Sequence, residues 1–248
     1  PISRIYAVAA PGSEPPGIWE FDVGSSALRP IVRRPARPFR VSQIARSIPA
    51  SMVDSNGRTL PYHVWAPVDF DPKKKYPAVF EAVYGSRWSP HAQVFANMGV
   101  FYITVDRGPA ISSRQWAEVA RKLLDVRQTM EGNPNIDLER VFITGFSIAA
   151  IWTSQLVDEH PELWCGAILN GPVVLPAITE RRRRLPRLLI SQSEEDALVN
   201  NTEEFRHKAC RQLLPVRLVY HEDVGHVFRD TRLIEERVRL MAGFVLDR

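Results

Sequence analysis

The sequence contains little cysteine and no long hydrophobic run. Its two cysteines, Cys165 and Cys210, are too few for a disulfide framework, and no cysteine and histidine residues have the spacing of a metal site. No apolar stretch approaches the ~18 residues that a membrane-spanning helix needs. We therefore expect no metal ion, no cofactor and no membrane association. No targeting segment is recognised, which leaves both the cytoplasm and the periplasm open.

Lysine is also scarce, since only five of the 32 basic residues are lysine and the net charge of +4 comes from arginine. Two arginine-rich stretches, 29–46 and 181–184, lack the interleaved aromatic residues and the known modules of nucleic-acid-binding proteins. We interpret them as a solvated linker and a solvated loop and expect no nucleic-acid partner. A docking face for another domain or an acidic substrate is the alternative.

The first 48 residues differ in pattern from the rest of the chain. The segments "RIYAVAA" and "GIWEFDV" predict two short strands, and a stretch rich in proline and arginine follows them. Two strands cannot form a stable unit alone. We therefore predict a β segment and linker over residues 1–48 and a main domain over residues 49–248. Within the main domain, Asn56-Gly57 predicts a hairpin.

From Tyr76 onward, short apolar runs alternate with helical patterns. Such runs, rich in β-branched residues, are typical of strands buried on both faces of a parallel sheet. The predicted strands are 77–85, 100–108, 140–145, 165–171, 187–192 and 216–222. The predicted helices are 114–131, 148–158, 202–214 and 228–246. This alternation predicts an α/β fold, a mostly parallel doubly wound sheet with helices on both faces.

Ser147 lies where a predicted central strand meets a predicted helix, between Gly145 and Ala149. A serine on a sharp strand–turn–helix connection with small neighbours has the pattern of a nucleophile elbow. A helix-capping serine is the alternative, because chance matches to this short motif are common.

An activated serine needs a base, and the base needs an acid to orient it. The predicted strand "LPRLLIS" leads into Glu194, Glu195 and Asp196, and the strand "VRLVYHE" leads into His226. These loops follow the order serine, acid, histidine that this fold requires. We predict Asp196 as the acid and His226 as the base, with Glu195 and the strand residue His221 as the respective alternatives.

Acyl transfer also needs hydrogen-bond donors for a developing oxyanion. The backbone N–H of Ile148 is the natural first donor, and the phenolic hydroxyl of Tyr84, after the strand "PAVFEAVYG", is a candidate for the second. A core or surface tyrosine is the alternative for Tyr84. Ile148 and Trp152 are weak candidates for a substrate pocket, and a core residue is the alternative for Trp152.

Taken together, the segments "DPKKKYPAVFEAVYG", "NIDLERVFITGFSIAA", "PRLLISQSEEDALV" and "VYHEDVGHVF" resemble the catalytic domain of the prolyl oligopeptidase (S9) family of serine peptidases. The resemblance covers about residues 50–248. It implies an α/β-hydrolase fold, a peptide substrate, a Ser147-Asp196-His226 triad and an oxyanion contact from Tyr84. It also implies an N-terminal β-propeller, and residues 4–23 resemble the end of its last blade, although the propeller itself is absent from this chain.

The sequence departs from the family pattern at the elbow, which reads Ser-Ile-Ala-Ala and lacks the usual glycines. The segments near 109–114 and 178–186 are short for the family. A specialised peptide-processing enzyme such as an isopeptidase therefore stays among the interpretations. The alternatives outside the peptidases are a carboxylesterase of the same fold and a hydrolase-like binding protein without activity.

Overall fold

A computed structural model describes residues 3–9, 17–31, 44–54, 56–83, 89–106, 112–177, 186–222, 224–227 and 231–247. The N-terminal part forms a three-stranded antiparallel sheet of β1 (Arg4–Ala9), β2 (Gly17–Asp22) and β3 (Ala27–Pro30). The first two strands agree with the prediction. The third was not predicted, because its residues lie in the stretch whose proline and arginine content favours a linker.

Strands β4 (Ser47–Val53) and β5 (Thr59–Trp65) form the predicted hairpin. Gly57 adopts a left-handed backbone, φ +76°, and its N–H donates to the carbonyl of Asp54 at 2.9 Å. Glycine takes this conformation without the steric cost that a Cβ brings, which explains the turn at Asn56-Gly57.

The hairpin joins the main sheet, which has eight strands in the order β11-β10-β9-β8-β6-β7-β5-β4. The six strands after the hairpin run parallel to one another, and β5 of the hairpin pairs antiparallel with β7. They are β6 (Tyr76–Val83), β7 (Phe101–Asp106), β8 (Ile136–Phe146), β9 (Gly166–Asn170), β10 (Arg187–Ser193) and β11 (Val216–His221). All six correspond to predicted strands.

The described part of the chain contains five α-helices, of which the first four lie between strands of the main sheet and the last follows β11: α1 (Pro90–Asn97), α2 (Ser113–Met130), α3 (Ala149–Glu159), α4 (Val199–Arg211) and α5 (Thr231–Leu246). A short 3₁₀ helix, Pro161–Leu163, follows α3. The last four α-helices were predicted and α1 was not. Its start signals are nevertheless present, because the Ser89 side chain accepts a hydrogen bond from the N–H of Ala92 at 3.2 Å and a proline follows Ser89.

The buried side chains form one apolar layer on each face of the main sheet. Residues of α2, α3 and α4 pack on one face, against Phe80 and Ile103, and residues of α1 and α5 pack on the other, against Val79 and Tyr102. These strand residues have no exposed surface. Burying each of the larger apolar side chains contributes about 1.5–3 kcal/mol. The predicted α/β fold with helices on both faces is confirmed, and it provides a rigid edge at the carboxyl ends of the parallel strands.

Within the described ranges, no helix is long and apolar enough to cross a membrane. The same part of the chain contains no group of three or more histidine, cysteine, aspartate or glutamate side chains arranged to hold a metal ion.

Candidate active site

Ser147 follows β8 directly and has a left-handed backbone conformation, φ +55°. A non-glycine residue in this region stores about 1–3 kcal/mol of strain, which the surrounding structure must hold. The N–H of Ser147 donates to the carbonyl of Asn170 on β9 at 2.9 Å, and its own carbonyl accepts from the N–H of Ala150 at 3.0 Å. The serine is therefore held at a sharp turn between strand and helix, which is the backbone of a nucleophile elbow.

Gly145 permits this turn. A Cβ at this position would lie 2.6 Å from the carbonyl oxygen of Ala149 and 2.6 Å from the hydroxyl of Thr153. Helix α3 could not approach β8 so closely if residue 145 had a side chain. The glycine two positions before Ser147 thus has a direct steric reason.

His226 and Asp196 lie in hydrogen-bond contact with each other and with Ser147. The Nε2 atom of His226 is 2.7 Å from the Ser147 hydroxyl oxygen, and its Nδ1 atom is 2.6 Å from Oδ2 of Asp196. Asp196 follows β10 and His226 follows β11, so three separate loops at one edge of the sheet supply the three side chains. His226 is 79 positions from Ser147 and 30 positions from Asp196 in the sequence.

Asp196 is buried, with 4% of its surface exposed. Burial alone would raise the pKa of Asp196. Hydrogen bonds from His226, from the N–H of Leu198 and from Gln192 outweigh this effect, and the pKa of Asp196 lies below its ordinary value. An ionised carboxylate only accepts hydrogen bonds, so Nδ1 of His226 carries a proton when the imidazole is neutral. Nε2 is then the free acceptor that faces the Ser147 hydroxyl.

The alternative acid and base lie elsewhere. Glu194 and Glu195 are exposed, and within the described residues the carboxylate that contacts Nδ1 of His226 is that of Asp196. His221 is buried on β11 with its Nε2 atom 2.9 Å from the Ser191 hydroxyl. Burial and the nearby charge of Arg237 lower the pKa of His221. His221 is therefore a strand histidine whose ring nitrogen contacts the neighbouring strand β10.

Of the two predicted oxyanion donors, only Ile148 lies within the residues that the structure describes. Ile148 is the N-cap of α3, and backbone N–H groups at the start of a helix have no partner within the helix. Tyr84 lies outside the described residues, immediately after β6. The weak prediction that Trp152 lines a substrate pocket is not supported, because Trp152 is fully buried in the core on α3 and has no exposed surface. Helical spacing places it on the inner face of α3, as the core interpretation required.

Two residues that the sequence analysis did not single out contact the imidazole of His226. Gly171, after β9, has φ +49°, and a Cβ there would lie 3.2 Å from Cε1 and 3.3 Å from Nδ1 of His226. The ring of Phe146 stacks on the imidazole, with centroids 5.2 Å apart and planes 27° apart. A glycine as the last residue of a predicted strand, in "LNGP", is the sequence signal that could have indicated the first.

An open pocket of about 420 Å³ lies between the loop after β9 and helix α4. One wall is the loop 173–177, and the other is the face of α4 that carries Asn201, Glu204, Phe205 and Lys208. The N–H of Val173 lies 3.5 Å from the carbonyl of Ser147, which sets this wall against the elbow. Helix α3 holds the loop from the other side, because Ser154 donates to the carbonyl of Val174 at 2.9 Å and Asp158 accepts from the N–H of Ala177.

No protein-family model matches this sequence. Solved structures do resemble nearly the whole chain. A puromycin-hydrolyzing peptidase of Mycobacterium tuberculosis has a TM-score of 0.81 at 16% identity, over 98% of this chain and 46% of that one. The acylaminoacyl peptidase of Pyrococcus horikoshii has a TM-score of 0.76 at 15% identity, over 98% of this chain and 48% of that one. The isopeptidase AtxE2, solved with Astexin3-dC4 bound, has a TM-score of 0.76 at 14% identity, over 99% and 47%.

The structural neighbours are peptidases of the prolyl oligopeptidase (S9) family, and the resemblance seen in the sequence is confirmed in the fold. The fold is the α/β-hydrolase fold of their catalytic domains. The chain spans less than half the length of each of these proteins.

Proposed function

We propose that this chain is the catalytic part of a serine hydrolase that cleaves amide bonds in peptides, with Ser147 as nucleophile, His226 as base and Asp196 as the orienting acid. One observation carries the proposal: the hydrogen-bonded series Asp196–His226–Ser147 ends on a serine with a left-handed backbone at the carboxyl edge of a parallel sheet. Sites in open α/β sheets form outside this edge.

In the first step, Nε2 of His226 takes the proton of the Ser147 hydroxyl as the oxygen attacks the carbonyl carbon of the substrate. The carbonyl π electrons move to oxygen and give a tetrahedral oxyanion. The backbone N–H of Ile148 and the hydroxyl of Tyr84 would stabilise this charge. His226 then gives its proton to the leaving amine as the carbon–nitrogen bond breaks, and an ester to Ser147 remains.

In the second step, water attacks this ester and His226 takes one of its protons. The second tetrahedral intermediate collapses, the bond to Ser147 breaks, and the serine oxygen recovers the proton from His226. Asp196 stays ionised throughout. It holds Nδ1 of His226 at 2.6 Å and stabilises the imidazolium that forms in each step.

The likeness to peptidases supports a peptide substrate. The pocket between the loop 173–177 and α4 supports recognition of a substrate side chain, because its loop wall contacts the elbow through Val173. The likeness to an isopeptidase and the Ser-Ile-Ala-Ala elbow favour a specialised peptide-processing enzyme as a narrower form of the same proposal. A carboxylesterase uses the same chemistry and is the second candidate.

We further propose that an N-terminal β-propeller accompanies this domain and that residues 1–48 connect the two. Two observations support it: β1–β3 form a separate antiparallel sheet with exposed Ile18 and Leu28, and the chain spans less than half of its structural neighbours. The mass of the protein isolated from its source tests this. A mass that matches this chain alone would contradict it.

A fluorophosphonate probe tests the mechanism, because it reacts only with an activated serine. The wild-type chain should gain one covalent adduct, located on Ser147 by peptide mass spectrometry, and Ser147→Ala should gain none. Ser154→Ala is a matched control, since Ser154 lies on the adjacent helix and donates to a backbone carbonyl. A folded wild-type protein that gains no adduct would defeat the proposal and favour a binding protein without activity.

A paired assay separates peptidase from esterase. The same acyl group is offered as a peptide amide and as a short ester, and turnover of both is measured. Turnover of the amide supports the peptidase proposal. Turnover confined to the ester would replace it with the carboxylesterase.

A further inference from the structure

Phe146 contacts two side chains that come from distant parts of the sequence. Its ring stacks on the imidazole of His226, and the guanidinium carbon of Arg237 lies over the same ring, 5.5 Å from its centroid. Phe146 is the residue before Ser147, and Arg237 lies on α5. The elbow strand, the histidine loop and the last helix therefore meet at one aromatic ring.

The position of His226 in the chain gives this contact its importance. The residue lies in the described segment 224–227, which has neither helix nor strand, and 32% of its side chain is exposed. Its two hydrogen bonds, to Asp196 and Ser147, fix the direction of the ring within its own plane. They leave the tilt of that plane weakly defined, and a stacked aromatic ring restrains this tilt.

Arg237 restrains Phe146 in turn. Arg237 is half-buried, and this burial lowers its pKa. A half-buried guanidinium held over an aromatic face contributes more than an exposed one. Helix α5 carries Arg237 and packs on the sheet through Met241 and Val245, which are fully buried. The ring that stacks on His226 is thus connected to the core and not to the loop alone.

We infer that Phe146 and Arg237 are positioning residues for the imidazole of His226: the pair holds the ring plane in the orientation in which Nε2 faces the Ser147 hydroxyl. The inference rests on the proposed function, because it assigns these residues to the same reaction. It adds two residues that act through the imidazole of His226.

Replacement of Phe146 by Leu tests the stack, and replacement by Tyr retains it. Loss of one aromatic stack should lower kcat about tenfold and leave KM unchanged, because the stack orients the imidazole for proton transfer in the chemical step. Phe146→Tyr should keep the wild-type kcat. A structural role alone would not give this split between kcat and KM together with rescue by the conservative variant.

Replacement of Arg237 by Met removes the charge at similar length, and Arg237→Lys retains it. We expect kcat to fall about threefold to tenfold in the first and to recover in the second. Arg187→Met is the matched control. The guanidinium carbon of Arg187 also lies over aromatic rings, 5.0 Å from the centroid of Phe244. Arg187 is at the start of β10, however, whereas Ser147 is at the opposite, carboxyl edge of the sheet. Replacement of Arg187 should leave kcat unchanged.

The low-field proton resonance of the His226 Nδ1–H group provides a readout that does not depend on activity. It should broaden or shift in Phe146→Leu and Arg237→Met and stay in place in Arg187→Met. If the wild-type protein reacts with the fluorophosphonate but both variants keep its kcat and its resonance, the inference is wrong and the proposed function stands. If the wild type does not react, the proposed function fails, and the resonances alone decide whether the stack positions His226.

Discussion

Replacement of Gly171 by Ala tests how closely the backbone approaches the imidazole. Gly171 has φ +49°, and a Cβ there would lie 3.2 Å from Cε1 and 3.3 Å from Nδ1 of His226, and 3.6 Å from Oδ2 of Asp196. Ordinary van der Waals contact begins at about 3.4 Å, so the imidazole must move by a few tenths of an ångström. The movement displaces the ring that must face the Ser147 hydroxyl.

The expected loss follows from this displacement. A misplacement of about 1 Å costs about a hundredfold in rate, so a few tenths should lower kcat about threefold to sixfold. The left-handed backbone adds a cost in stability of about 1–2 kcal/mol, because alanine is disfavoured in this conformation. The measurements are the rate of fluorophosphonate labelling, kcat on a chromogenic ester, and the free energy of unfolding in urea.

Gly57→Ala is the matched control. Gly57 also has a left-handed backbone, φ +76°, but a Cβ there would meet no atom within 4 Å. Both variants should lose similar stability, and only Gly171→Ala should lose activity. The argument from steric contact is refuted if the fluorophosphonate labels Gly171→Ala at the wild-type rate. It is also refuted if Gly57→Ala loses as much activity as Gly171→Ala.

Three further predictions concern the acid, the elbow and a buried carboxyl. Asp196→Asn should lower kcat about ten-thousandfold, measured on the same ester, because an amide no longer holds the imidazole in the tautomer with Nε2 free. Gly145→Ala should destabilise the protein by about 2–4 kcal/mol in urea unfolding, since its Cβ would lie 2.6 Å from the carbonyl of Ala149. Glu81 is buried and accepts a 2.6 Å hydrogen bond from Tyr102, and burial raises its pKa from 4.5 to about 7. The folded protein therefore keeps a proton that the unfolded chain releases above pH 4.5, so stability should fall by up to about 3 kcal/mol as pH rises from 4.5 to 7, and Glu81→Gln should remove this slope.

Each of these has a contradicting outcome. A near wild-type kcat in Asp196→Asn would mean that another residue acts as the acid. Glu195→Gln is the control for this variant. Wild-type stability of Gly145→Ala would mean that α3 can move away from β8 at no cost. Equal pH slopes for the wild type and Glu81→Gln would assign the pH dependence to other groups.

The order of strands and helices was predictable from the sequence because it depends on local patterns. Runs such as "RVFITG" bury side chains on both faces, and "RQWAEVARKLLDVRQ" repeats with the period of a helix. Helix α1 escaped prediction, although Ser89 caps it, because eight residues are too few to show a clear helical period. Strand β3 escaped because only its pairing with β2 distinguishes it from a linker.

Ser147, Asp196 and His226 could be selected from the sequence because each follows a strand whose carboxyl end faces the same edge of the sheet. Gly171 and Phe146 could not be selected in the same way. Their roles depend on distances to His226, which is 55 or more positions away in the sequence, and no local pattern contains such a distance. Trp152 was assigned to a pocket only weakly, and the packing of α3 against the sheet decided that it is a core residue.

The sequence by itself determined the alternation of elements, the small residues around Ser147 and the loops that carry an acid and a histidine, because hydrophobic period and backbone sterics act over neighbouring residues. The sequence also favoured His226 over His221 and Asp196 over Glu195, but only the tertiary structure decided the contacts. Nε2 of His226 faces the Ser147 hydroxyl whereas His221 contacts Ser191, and Asp196 is buried beside the imidazole whereas Glu195 is exposed. The physical reason is that parallel pairing of β8, β9, β10 and β11 brings their loops together, whereas side-chain contacts between those loops are set by packing across the whole sheet.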